Sequence, residues 1–162
     1  MTSQVVVGLP ETLGALQKRH DAILGAVRAV MAQLSMRLSS KAKEDKLSGQ
    51  VLNVRTGRLR RSITFRVEDQ GPLVVGMVGT NVEYAARHEF GGSFDERVRQ
   101  HMRQMKMAWG REMKNPRAVQ VRAHTRHVEL PARSFLRSAL AEMEPAVRQE
   151  IANAVEAANA GA

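Results

Sequence analysis

The chain has no cysteine. Disulfide frameworks, thiolate metal sites and cysteine nucleophiles are therefore excluded. Aromatic residues are scarce, with one Trp, one Tyr and four Phe among 162 residues. Proteins that hold single-stranded nucleic acid stack its bases on aromatic side chains, so that mode is disfavoured. Contact with a phosphate backbone is not excluded, because it needs only Lys and Arg. No apolar run approaches the roughly 20 residues that cross a bilayer. No Lys or Arg precedes the short apolar run from Val5 to Leu9, and a soluble, unexported chain is expected. A phosphate-cradling loop is also missing, since no Gly-Lys-Ser/Thr follows Gly91-Gly92.

What is present is length enough for one domain with its own core. A chain of this size hides roughly 70% of its unfolded surface. The net charge is +9, unevenly spread. Residues 92–133 carry ten Lys/Arg against four Asp/Glu, and residues 134–162 carry two against four. A basic middle and a faintly acidic tail fit nucleic-acid contact or charge-matched contact between subunits.

Leu13, Leu16, Ile23, Val27, Val30, Leu34 and Leu38, with His20 filling the gap, follow alternating steps of three and four. That spacing predicts a long N-terminal helix with one apolar stripe, and Pro10 suits its first turn. At 1.5 Å per residue, about 30 residues span about 45 Å, more than a small core covers. Part of this helix is expected to pack on a neighbouring subunit. The polar residues 39–49 predict a loop. Residues 1–48 are thus read as helix and polar loop, and residues 49–162 as an α+β domain.

Within that domain, Thr56 is placed to cap a short helix over residues 57–62. Ile63, Phe65 and Val67 alternate with polar residues, and residues 73–78 follow a turn at Asp69-Gln70-Gly71-Pro72, which predicts a hairpin. Thr80 with Glu83 reads as a capping box opening a helix that Gly91-Gly92 stops. Ser93 with Glu96 reads as a second box. It predicts a basic, Met-rich helical insertion over about 92–116, with Val98, Met102, Met105, Trp109 and Met113 on one face. Val119, Val121 and Ala123 predict a third strand to about Val128. A closing helix carries Leu136, Leu140, Met143, Val147, Ile151 and Val155, with a kink or restart expected at Pro145. The fold class is α+β: a small antiparallel sheet flanked by helices, plus the long N-terminal helix.

Catalytic patterns fail one after another. His124 and His127, three apart in a strand, point to opposite faces, and no carboxylate pair stands near them in sequence. His88-Glu89 opens like a zinc-protease helix, but position 92 is Gly where the second His belongs. Ser62, Ser134 and Ser138 have no nucleophile-elbow glycines around them. No enzyme, cofactor or metal is expected. Arg55, Arg58, Arg60 and Arg61 suit phosphate or the acidic residues of an adjacent subunit. Arg99, Arg103 and Lys106 suit a partner protein or DNA.

Three blocks remain: Arg-Thr-Gly-Arg-Leu-Arg-Arg-Ser-Ile at 55–63, Gly-Thr-Asn-Val-Glu-Tyr-Ala-Ala-Arg-His-Glu-Phe-Gly at 79–91, and Leu-Pro-Ala-Arg-Ser-Phe-Leu-Arg-Ser-Ala-Leu at 130–140. In this order they resemble the neck or tail-completion family of tailed bacteriophages, which includes minor tail protein Z-like and virion-morphogenesis proteins. Thr56, Gly57, Leu59, Ser62 and Ile63 match its first motif. Val78 to Ala85 and Glu89 to Gly91 match the second, including Tyr84 and Phe90. Phe135 and Leu136 stand in the third, where Ser134 and Ser138 replace two prolines. Many members pass from Glu-Phe-Gly to Pro-Ala-Arg quickly; here about forty residues intervene.

The resemblance implies a structural virion protein of the neck or tail end, made in the host cytoplasm. It also implies a homo-oligomeric ring of about six or twelve copies, since cyclic closure satisfies every interface. Its partners would be other neck, connector or tail-end proteins, with no membrane contact. The motif residues are expected to hold the fold and its interfaces: Gly57 by close packing at a helix start, Tyr84 and Phe90 as large anchors, Glu89 beside a basic neighbour, and Phe135 and Leu136 beneath the sheet. The alternative, from another class, is a basic DNA-binding protein acting in packaging or nucleoid contact.

Overall fold

The computed structural model describes residues 8–71, 73–108 and 111–161. Its two long helices are α1, Leu9–Lys41, and the C-terminal α4, Leu136–Ala160, which pack on each other. Only the second half of α1 has company. Leu34 is buried and Leu38 half-buried against the body, whereas residues 10–22 are exposed, Leu13 at 57% and Leu16 at 56%. The fold is α+β, as expected.

The stretch 39–49, expected as a loop, is helical. Beyond Lys41 the chain continues as a wider π-type helix, Ala42–Gln50, broken at Gly49 (φ +129). Several of its polar residues have partners. Lys46 is buried, and its ammonium pairs with Glu142 of α4. Lys41 joins the same carboxylate at 3.0 Å and reaches Asp45, four residues on, at 3.2 Å. Helix-forming Lys, Glu and Ala thus gain partners that sequence spacing does not display. Those contacts hold the Glu142 carboxyl below, and Lys41 above, their ordinary values, chiefly through the hydrogen bonds Lys46–Glu142 and Lys41–Glu142.

The expected hairpin forms from β1, Thr64–Gln70, and β2, Leu73–Gly79, antiparallel with Phe65 opposite Val78 and Val67 opposite Gly76. This face lies on α1. At Gly76 a Cβ would stand 2.4 Å from Ser35 Oγ and 2.9 Å from Met31 Cε, so the missing side chain lets helix and strand approach. Both obstacles are side-chain ends that can give way. Gly76→Ala should therefore cost only about 1 kcal/mol, measured by urea unfolding.

Two short helices complete the body: α2, Arg58–Ser62, and α3, Glu83–Phe90. The core sits where they meet the end of α1 and the start of α4. Ala42, Leu47, Ile63, Val82, Ala85, Phe135 and Ala139 form one buried cluster, with Leu52, Leu59, Val78 and Leu136 packed around it. Phe135 is fully buried. α4 runs through Pro145 as one helix, without the expected restart.

The Met-rich segment is the main correction. The described residues of 92–116 are not a helix. They belong to a two-stranded ribbon in which β3 (Gly92–Val98) pairs with β6 (His124–Leu130), and β4 (His101–Ala108) pairs with β5 (Arg111–Val121). The pairing Gly92↔Leu130 keeps its register through Met105↔Arg117, so both pairs form one long arm interrupted at residues 99–100 and 122–123. Seventeen residues of β strand extend up to about 55 Å at about 3.3 Å each.

Spacing by four is what misled. Val98 and Met102 share the expected helix face, but an even step also keeps residues on one strand face. The decision came from across the ribbon. Glu96, expected to close a capping box with Ser93, instead accepts from Arg126 Nε at 2.8 Å, and His127 Nδ1 meets Asp95 at 2.7 Å. Val119, Val121 and Val128 supply β-branched partners. Asn115 and Pro116 fall where register shifts between Met105 and Met107, a position that tolerates proline. Trp109, placed on the expected helix face, lies outside the described residues.

Candidate functional site: a carboxylate hub and an arginine-lined cleft

The second and third sequence blocks meet at Glu89. Its carboxylate comes from the last turn of α3 and sits at the N-terminus of α4, only 5% exposed. Oε2 accepts from the backbone N–H of Phe135 at 2.8 Å and of Leu136 at 3.0 Å. Oε1 accepts from the Ser134 hydroxyl at 2.6 Å and from Arg137 N–H at 2.9 Å. The free N–H groups of a helix's first turn need acceptors, and an anion there also meets the positive end of the helix dipole. Burial alone would push this carboxyl up; the Ser134 hydroxyl and the three N–H groups together hold it below its ordinary value.

Arg137 closes the hub from outside. Its guanidinium donates to the Glu89 carbonyl at 3.1 Å and stands 5.0 Å from the Phe90 ring. The basic neighbour expected for Glu89 is therefore present, but the N–H groups of α4 are the tighter partners. Phe90 itself is 65% exposed, a surface residue and not an anchor in its own fold.

Gly91 carries the chain from α3 into the arm with φ +68 and ψ −157, a conformation essentially reserved for glycine. A Cβ there would stand 2.6 Å from Ala132 N and 2.8 Å from Leu130 O. Beside it, Arg133 N–H donates to His88 O at 2.7 Å. Both roots of the arm are thus tied to the hub.

The first block lies on the other side of α3. Gly57, with φ +69, precedes α2, and a Cβ would approach Arg61 Nη1 to 2.9 Å. The expected Thr56 cap is weak: Arg58 N–H lies 3.4 Å from its Oγ1. Ser62 joins the blocks, its hydroxyl 2.6 Å from that of Thr80, which also accepts from Val82 N–H at 3.2 Å. Between these elements opens a cleft of about 530 Å³. Leu47, Leu52 and Leu59 give it an apolar side; Arg55, Arg58, Arg60 and Arg133 surround it, with Tyr84 and His88. Tyr84 and His88 meet edge to face, centroids 6.0 Å apart.

The residues singled out in sequence therefore separate into three places. Glu89, Phe135 and Leu136 are in the hub and core, with Gly91 at the arm's root. Thr56, Gly57, Arg58, Leu59, Arg60 and Tyr84 line the cleft, while Arg61 turns back to the Thr56 carbonyl at 3.2 Å. Arg99 sits at the interruption of the arm, and Arg103 and Lys106 lie in β4. Arg133 and Arg137 were missed, and His88 was weighed only as a metal ligand. Their signal was position alone, inside the second and third blocks.

Short motifs far apart in sequence thus meet in one scaffold, where Glu89 and Ser134 hold the start of α4. The sequence model of the phage virion morphogenesis family matches residues 30–158, and the protein belongs to that family. This is a structural and assembly family, not known for enzymatic members, and membership implies association with the virion. No curated protein and no solved structure matches the chain. Among the described residues, no helix is long and apolar enough to cross a membrane.

Proposed function

We propose that the protein is a ring-forming subunit of the phage neck or tail end, completing the tail and joining it to the head. The observation that carries this reading is the arm. Among the described residues, β4 and β5 pair with each other and make no extensive contact with α1, α4 or the first hairpin. A lone two-stranded ribbon is marginal in water, so it is explained by a surface on a neighbouring molecule. The exposed first half of α1, with Leu13 and Leu16, asks for the same kind of neighbour. Copies related by a closed rotation would satisfy both protrusions on every subunit.

The test replaces residues 99–123 by Asn-Gly, a two-residue turn that suits the Val98–His124 pair. The body should fold with its melting temperature nearly unchanged. Ring formation, seen by light scattering and electron microscopy, should be lost. Rings or head–tail joining at normal yield would refute the reading.

A second reading is favoured by charge. Residues 99–122 carry seven Lys/Arg against one Glu, and a two-stranded ribbon fits the major groove of DNA. If the arm tracks phosphate, Arg99, Arg103 and Lys106 changed to Gln should weaken duplex binding and flatten its salt dependence by roughly 0.9 log units per lost contact. On the proposed function, the same change reduces assembly and leaves duplex affinity nearly untouched.

A further inference from the structure

The cleft beside α3 has a surface chemistry that the scaffold does not use. Its charged lining is of one sign: Arg55, Arg58, Arg60 and Arg133, with His88 and no Asp or Glu. Among the described residues none of these four arginines enters an intramolecular ion pair, although eight other Lys and Arg side chains do. All four are exposed. Clustered guanidinium groups repel one another, so an arrangement without internal carboxylates favours an anionic visitor. Guanidinium forks suit carboxylate and phosphate alike.

The other half of the lining decides between these anions. Leu47, Leu52 and Leu59 stand together on the wall, continuous with the buried core, and Val54 adds a further apolar side chain that is 49% exposed. A phosphate backbone has nothing to place against them. A peptide does: one leucine-sized side chain fills the apolar part while neighbouring Asp or Glu side chains meet the arginine rim. A volume of about 530 Å³ accommodates a few residues and not a duplex.

We infer that this cleft docks an acidic segment with an apolar anchor, supplied by a partner protein of the virion. The inference rests on the reading of the protein as an assembly subunit, and it concerns a surface other than the arm. Arg58 and Arg60 grip the carboxylates, Arg133 closes the end nearest the arm, and Tyr84 flanks the anchor.

The test uses the full-length protein and a fluorescently labelled peptide, Asp-Glu-Leu-Asp-Glu-Leu-Asp-Glu, read by polarisation at about 0.1 M salt, where screening acts over about 10 Å. Comparison probes are the same peptide with Asn/Gln for Asp/Glu, the same peptide with Ser for Leu, and a short DNA duplex. The acidic peptide should bind. The double variant Arg58→Glu, Arg60→Glu, whose exposed positions leave the melting curve unchanged, should lose at least about ten-fold in affinity. The amide and serine probes should each bind clearly less well. The protein with residues 99–123 replaced should bind the acidic peptide as the full-length protein does. That last arm separates the two readings: peptide binding retained with ring formation intact would sink the ring-by-arm reading and leave the cleft standing. No peptide binding, equal binding of the serine probe, or displacement of the peptide by the duplex would overturn the cleft assignment.

Discussion

Glu89→Ala should lower stability by about 3 kcal/mol. Four hydrogen bonds to its carboxylate disappear, and bonds to an ionised acceptor contribute about 1.5–3 kcal/mol each. Water regains part of the freed N–H groups, which keeps the net loss well below the sum. For a domain of this size the melting temperature should fall by roughly 6–12 °C. Glu89→Gln keeps the shape but turns a donor toward N–H groups, and should lie between. Loss of under about 1 kcal/mol in Glu89→Ala would show that α4 is held by Phe135 packing alone.

The sign of the pH dependence follows from the same bonds. The carboxyl is held below its ordinary value near 4.5 in the folded protein. Its contribution is therefore complete above that value and is lost as pH falls through the folded one. Wild type should lose its advantage over Glu89→Gln on acidification below about pH 4.5, in urea unfolding followed at successive pH values. A gap that widened in acid would contradict the hub.

Gly91→Ala should cost more than about 3 kcal/mol. The residue would have to enter a backbone region that side chains avoid, and its Cβ would press on Ala132 N and Leu130 O. These obstacles are backbone, unlike the side-chain ends around Gly76, so they cannot rotate away. Gly92 supplies the control. Its φ is +127, yet nothing lies within 4 Å of the position of its Cβ. Gly92→Ala should show only the conformational penalty, about 1–2 kcal/mol. Equal effects of the two changes would dismiss the steric argument. Hydrogen exchange at Phe135, Leu136 and Arg137 should also quicken in Gly91→Ala alone, because the hub leans on the same junction.

Which features could be read in advance depended on where each segment finds its partners. The β1–β2 hairpin and the stop of α3 at Gly91 are decided by neighbours within a few residues, and local pattern suffices for them. The expected Thr80–Glu83 box does not form: Thr80 Oγ1 accepts from Val82 N–H, and no side chain caps α3. The second and third blocks hold residues that meet, since Glu89 and Ser134 are 45 positions apart in sequence and still touch. The 92–116 segment was misread because Met, Arg, Gln and Lys favour helix, while its partner strand lies up to 38 residues downstream. Residues 39–49 were misread for a similar reason: Lys46 owes its burial to Glu142, far along the chain. The cleft was half visible, with Arg58, Arg60 and Tyr84 noted separately. Nothing in the spacing said that Arg133 would stand beside them.

Glu89 and Ser134 clamp the two ends of the arm, with Gly92 paired to Leu130 just above. Everything beyond that clamp is chain whose size the body does not sense. The entropy of closing such a loop grows with the logarithm of its length, so doubling it costs only about 0.6 kcal/mol. Each cross-strand pair added or deleted would change the span by about 3.3 Å. The protein is thus a fixed bracket with an adjustable boom. Insertions and deletions in pairs can change how far the boom reaches without reopening the core, the hub or the cleft; on the proposed function, that reach sets the distance to a neighbouring molecule.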